Sequence, residues 1–115
     1  MGFRSNRAYL NDELNRLIQR EGYVNSYLKN NPSIALQKRV IKGKSYFYIR
    51  YKKDGKSFAE YFTKDPSEAK EKRIEVEKMK ALRRKLKEER KVLMNDISLL
   101  KAQIKIVDKA IHSHA

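Results

Sequence analysis

From residue 69 onward, apolar side chains recur at alternating spacings of three and four. Ala69, Val76, Met79, Leu86, Leu93, Ile97, Leu100, Ile104, Val107 and Ile111 follow this repeat, and only Lys72, Arg83 and Arg90 break its apolar character. Such a spacing keeps one seam of an α-helix facing the same way over many turns. Neither Gly nor Pro interrupts it, and Asn95-Asp96 is the one place where a bend is plausible. At about 1.5 Å per residue the helix extends to roughly 65–70 Å. Asp65-Pro66-Ser67-Glu68 supplies its start: Asp65 in the capping position, Pro66 at the first helical residue, and Glu68 placed to close a capping box.

Upstream the period changes from helical to alternating. Ser45–Lys52 is rich in strand formers, Ala35–Ile41 and Lys56–Phe62 flank it, and Lys42-Gly43-Lys44 and Asp54-Gly55 mark the turns. This predicts a three-stranded antiparallel meander. Counting outward from Asp54-Gly55 pairs Lys53 with Lys56, Tyr51 with Phe58, Ile49 with Glu60, Tyr48 with Tyr61 and Phe47 with Phe62. One face then carries Phe47, Ile49, Tyr51, Phe58 and Phe62, and the other carries Tyr46, Tyr48, Arg50, Ala59 and Tyr61. At the N-terminus, Leu10, Leu14, Leu17 and Ile18 share a helical face that Gly22 offers to stop, and Val24, Tyr27 and Leu28 form a second cluster before Asn30-Asn31-Pro32. The reading is an α+β fold: short N-terminal helices (1–33), the sheet (34–64), and a long, basic, coiled-coil-like helix (65–115).

The seam predicts a homodimer through the C-terminal helix, with Leu86, Leu93, Ile97, Leu100, Ile104, Val107 and Ile111 as the contact. Ile at one seam position and Leu at the other suit a parallel two-stranded coil. Arg83 and Arg90 weaken its middle. Val92, Leu99 and Ile106 widen the apolar arc to about 160°, which suits a bundle or packing on the chain's own sheet and helices.

Charge sharpens the picture. The chain has 28 Lys and Arg against 14 Asp and Glu, a formal net charge of +14 over 115 residues. The middle segment is densest, with Lys38, Arg39, Lys42, Lys44, Arg50, Lys52, Lys53 and Lys56 opposed only by Asp54 and Glu60. A surface of this kind attracts nucleic acid, an acidic protein groove or an anionic membrane. Phosphate backbones reward it through counterion release, while exposed tyrosines on a sheet can stack unpaired bases. Candidate nucleic-acid contacts are therefore Tyr46, Tyr48, Arg50, Lys52, Lys56 and Tyr61 on the sheet, with Arg83, Arg84 and Lys87 from the basic run on the helix. The competing readings are that the tyrosines are core with their hydroxyls at the rim, and that the charge run is only a solvated side.

Catalytic and metal chemistry find little footing. There is no cysteine, the only imidazoles are His112 and His114 in the tail, and no Gly-rich phosphate loop is present. No enzyme, cofactor or metal is expected. The apolar runs are far short of a membrane span, and Met1–Asn6 lacks the apolar stretch of a secretory signal and the pattern for myristoylation. A soluble, cytoplasmic protein is expected.

Gly43-Lys44-Ser45-Tyr46-Phe47-Tyr48, Tyr51, Asp54-Gly55-Lys56, Tyr61-Phe62-Thr63-Lys64-Asp65-Pro66 and Glu68 resemble a pattern in small bacterial and phage proteins. In those proteins a GK-Tyr-Tyr-Tyr meander leads into a basic coiled coil. The resemblance covers about residues 34–111 and implies a fold and a bacterial or phage home, but no activity. Phe62-Thr63 departs from the aliphatic residue and Gly expected there. Residues 38–75 are more loosely similar to the arm-type DNA-binding domain of tyrosine recombinases, a three-stranded sheet that enters the major groove. That similarity implies Tyr48, Arg50, Lys52 and Lys56 as contacts, and no cleavage. The first functional expectation is a small, non-catalytic nucleic-acid-binding protein of a bacterium or mobile element. The alternative is a protein-binding inhibitor or adaptor, such as a phage anti-CRISPR acting on a nucleoprotein effector. A structural coiled coil with solubilising charge is the plainest.

Overall fold

A computed structural model describes the backbone of residues 6–113 and the side chains of residues 7–110. Residues 1–5, weighed above for a leader, lie outside this range, as do the side chains of Ile111, His112 and His114. The elements are α1 (Asn6–Asn30), β1 (Ile34–Ile41), β2 (Lys44–Lys53), β3 (Lys56–Thr63) and α2 (Pro66–Ser113). This is the expected α+β order: helix, antiparallel meander, long helix.

The N-terminal segment differs from the reading that stops a helix at Gly22: α1 is one helix of 25 residues. Glycine weakens a helix interior by about 1 kcal/mol relative to alanine, which tertiary packing on both sides can override. Leu17 and Val24, on either side of Gly22, are both buried. Gly22 itself is exposed, and a Cβ added there meets nothing within 4 Å. Gly22→Ala should therefore raise stability by about 0.5–1 kcal/mol, read as a higher melting temperature by circular dichroism. A lower one would mean that α1 needs glycine's freedom at this point.

Both hairpins turn on two residues in the left-handed region, Lys42 (φ 52°) with Gly43 (φ 78°) and Asp54 (φ 53°) with Gly55 (φ 76°). These are the angles of type I′ turns, whose twist matches that of paired strands. The strands lie in the order β1-β2-β3. Counting from the Asp54-Gly55 turn holds for Lys53–Lys56, Tyr51–Phe58, Ile49–Glu60 and Tyr48–Tyr61, and then the register shifts so that Phe47 pairs with Thr63. The expected Phe47–Phe62 pair is thus replaced by a bulge in which Phe62 is the extra residue.

The bulge delivers Thr63 to the start of α2. Thr63 is buried, and its Oγ1 accepts from the Asp65 amide at 3.0 Å. That is the bond a capping box would have assigned to Glu68. Asp65 caps as expected: its Oδ1 accepts from the Ser67 amide at 2.9 Å, and its carbonyl takes the first helical bond, from Ala69, at 3.0 Å. From Pro66 the helix runs unbroken through Asn95-Asp96.

The chain divides into two compact units. In one, residues 6–27 and 87–113 form an antiparallel pair of helical segments. Arg7 Nε lies 3.1 Å from Asp108, and Arg20 makes two bonds of 2.9 Å to Glu89. Leu17, Val24, Leu93 and Ile97 are its buried apolar side chains. The other unit, Leu28–Leu86, holds the sheet and the first half of α2, with Phe47, Ala69 and Val76 buried. No helix among the described residues is long and apolar enough to cross a membrane.

This arrangement accounts for part of the seam. Leu86, Leu93 and Ile97 are buried within the single chain, so these three face its own elements, while Leu100, Ile104 and Val107 are half-buried. The reason is the length of α1. Reading it as short helices left too little apolar surface to cover the seam, whereas one continuous α1 supplies Leu10, Leu14, Leu17 and Val24 along one face.

Candidate nucleic-acid interface

Alternation along the strands sorts the sheet into two chemically distinct faces. Side chains opposite one another across an antiparallel pair share a face. The register therefore places Gln37 and Arg39 of β1, Lys44, Tyr46, Tyr48, Arg50 and Lys52 of β2, and Tyr61 of β3 together. This face carries cations and tyrosines and no carboxylate. The strands' only acid, Glu60, belongs to the opposite face with Phe47, Ile49, Tyr51 and Phe58.

The opposite face is the one on which α2 packs, at its Phe47 end. Phe47 is 6% exposed and lines one groove together with Pro66 and Ala69 of α2. Further along it, Tyr51 stacks on Phe58 with ring centroids 5.5 Å apart. The Tyr51 hydroxyl donates to Glu60 at 2.7 Å, which raises the phenol's pKa above its ordinary value because the bond favours the protonated form. Glu60, the one negative charge of the strands, is thereby held away from the tyrosine face.

The tyrosine face is open. Tyr61 is 55% exposed, Tyr46 and Tyr48 are half-buried, and Arg39, Arg50 and Lys52 are exposed. Tyr61 sits between the other two, 6.3 Å from Tyr46 in a tilted pair and 5.8 Å from Tyr48 edge-to-face. The guanidinium of Arg39 lies 4.5 Å from the centre of the Tyr48 ring, a distance typical of cation–π contact. Tyr48 is thus flanked by two neighbours, while much of Tyr61 remains free to meet a ligand. The surface offers π-faces for stacking and guanidinium and ammonium groups for phosphate, with no acid to repel it.

The structure therefore brings together Tyr46, Tyr48, Arg50, Lys52 and Tyr61 from the expected set. Lys56 pairs with Lys53 and falls on the other face, a correction that follows from strand alternation. Arg84 and Lys87 are exposed on α2, outside the sheet. Arg83 is corrected more sharply: its Nη1 donates to the Leu28 carbonyl at 3.1 Å and also to the Asn31 carbonyl. These carbonyls lie at the C-terminal end of α1, where helical acceptors run out. Arg83 caps a helix and is half-buried, so it is not a free cation for phosphate.

Sequence reasoning missed Arg39 as a member of the face. The Lys42-Gly43 turn carries the missing signal, because counting outward from it pairs Arg39 with Tyr46 and Gln37 with Tyr48. No group of three or more metal-ligating side chains occurs among the described residues. No protein-family model, curated protein or solved structure matches the chain.

Proposed function

We propose that this chain is a small, non-catalytic nucleic-acid-binding protein of a bacterium or mobile element that contacts nucleic acid through the tyrosine face of its sheet. The observation that supports this reading is the segregation of charge and aromatic surface. Arg39, Lys44, Arg50 and Lys52 share a face with Tyr46, Tyr48 and Tyr61, and that face has no carboxylate. A face that only kept the protein soluble would have no need to hold tyrosine rings open beside its cations. Stacking is worth about 1–3 kcal/mol per base and tolerates any sequence, so unpaired bases suit the face better than a closed duplex.

The test is fluorescence anisotropy of labelled double-stranded DNA, single-stranded DNA and RNA across a salt series. The proposal expects a preference for a single-stranded form that persists at about 150–200 mM salt, where binding by counterion release alone has collapsed. Equal binding of all three that vanishes with salt would leave only diffuse charge.

Self-association belongs to the same proposal, through a different stripe from the one the sequence suggests. Val92, Leu99 and Ile106 recur every seven residues on α2 and are 58%, 56% and 67% exposed. An antiparallel pairing of two copies about Leu99 sets Val92 against Ile106 and Asn95 against Gln103, and brings Glu88 close to Lys109 of the other copy. Apolar meets apolar, amide meets amide, and opposite charges meet. Sedimentation velocity should show a dimer that Leu99→Glu converts to a folded monomer. A wild-type monomer at high concentration would remove this element.

A further inference from the structure

On the side of the sheet away from the tyrosines, α2 and the strands leave a groove of about 880 Å³. That volume falls within the range of sites that accept organic ligands or clusters of side chains. Its floor is apolar: Phe47 from β2, and Ala69, Ile74 and Ala81 from α2. Ile74 is 52% exposed, although it adjoins a buried core. Ile74 is continuous with Ala69, Ala81 and Phe47 along this groove, so its exposure extends one apolar patch and is not an isolated surface residue.

The rim is cationic and comes from two elements. Lys38 projects from β1, and Lys70, Arg73 and Lys78 from α2. None of these four makes an ion pair among the described residues, whereas nearby Lys72 and Lys80 are paired with Glu75 and Glu77. Glu77 is the groove's only acid, and its carboxylate is already directed to Lys80. The groove thus presents unneutralised positive charge around a greasy floor.

From this we infer that the groove is a docking site for an acidic peptide segment of a partner protein, one that carries large aliphatic or aromatic anchors between Asp or Glu residues. Nucleic acid fits it less well. Phosphates would find the rim, but the floor's one aromatic, Phe47, is only 6% exposed, and Ile74 and the alanines give a base neither a flat ring nor a hydrogen-bonding edge. An acidic peptide satisfies both parts at once, with aliphatic or aromatic anchors on the exposed Ile74 and Ala81 and carboxylates on Lys38, Lys70, Arg73 and Lys78. The chain would then join two partners, nucleic acid on one face of the sheet and an acidic protein segment on the other. The groove does not depend on the nucleic-acid reading.

The test is to pan a random peptide library on the full-length protein and sequence the enriched pool. Peptides with net negative charge and two or more of Leu, Ile, Phe, Trp or Met are expected. A synthetic representative should lose at least tenfold in affinity on Ile74→Glu and on the pair Lys70→Glu with Arg73→Glu. It should bind Tyr61→Ala as it binds wild type. All of these positions are exposed, so the variants should fold, which circular dichroism checks. Absence of enrichment, an enriched pool without acids, retention of the peptide by Ile74→Glu, or displacement of it by a short oligonucleotide would each overturn the inference. The last would reassign the groove to nucleic acid.

Discussion

Replacing Arg83 with methionine should lower the stability of this protein by about 2 kcal/mol, because hydrogen bonding by a charged group contributes about 1.5–3 kcal/mol. Arg83 is half-buried and gives Nη1 to the carbonyls of Leu28 and Asn31. Methionine fills much of the same space but leaves both acceptors without this donor at the point where α1 ends. Leu28 is buried, so water cannot freely take over. The melting temperature should fall by roughly 10 °C, given that each kcal/mol shifts a domain of this size by several degrees. Arg83→Lys should recover only part of the loss, since an ammonium cannot reproduce the fixed fork of a guanidinium. The neighbouring Arg84→Met is the control: Arg84 is exposed, and its loss should change stability by less than about 0.5 kcal/mol. If the two variants melt alike, Arg83 is not the cap it is described as.

The second large effect concerns binding. Combining Arg50→Ala with Tyr61→Ala should weaken association with single-stranded nucleic acid by about 10–100-fold, from the loss of one stacking platform and one phosphate contact. Tyr61 is 55% exposed and Arg50 is exposed, so the pair should leave the fold intact. Pairing Tyr48→Ala with Arg50→Ala should also be severe, though Tyr48 additionally supports Arg39 at 4.5 Å. By contrast, Lys101→Ala with Lys105→Ala removes two exposed cations from α2 and should cost no more than a few-fold, with a shallower salt dependence. Equal losses from the sheet pair and the helix pair would mean that charge acts diffusely and that the tyrosines are incidental.

These predictions rest on features of unequal visibility in the sequence. The meander was legible because its signals are local: two-residue turns demand positive φ, and Gly43 and Gly55 supply it at φ 78° and 76°. The register from Asp54-Gly55 could be counted for as long as pairing stayed regular. It failed at Phe47, where Thr63 is drawn in to bond the Asp65 amide at 3.0 Å. That bond is made by the start of the next element, which a strand-by-strand count does not see. The tyrosine face followed from alternation alone, but the choice between site and core did not. That choice depends on which face α2 covers, a tertiary fact decided by Phe47, Thr63 and Ala69 packing on the far side.

The seam shows the opposite balance. Its periodicity was plain, but periodicity alone did not fix its partner. Leu93 and Ile97 read equally well as a dimer contact or as an internal one, and the outcome turned on whether α1 is one helix or two. Gly22 carried that decision, and a local rule about glycine gave way to burial on both sides of it. Arg83 was hidden for a related reason. Within a basic run it looks like one more phosphate ligand, and only the return of α1 beside α2 places two carbonyls within its reach. Arg39 was recoverable from the sequence, since the Lys42-Gly43 turn fixes its partner as firmly as the second turn fixes the others.

The most direct test of the central claim is to locate the contact. A short single-stranded oligonucleotide carrying a photoreactive uridine should be crosslinked to the full-length protein and the adducts mapped by mass spectrometry. The account predicts crosslinks at Tyr46, Tyr48 and Tyr61, with Tyr61 the strongest because its ring is the most exposed. Adducts spread over α2, with none on these tyrosines, would contradict it.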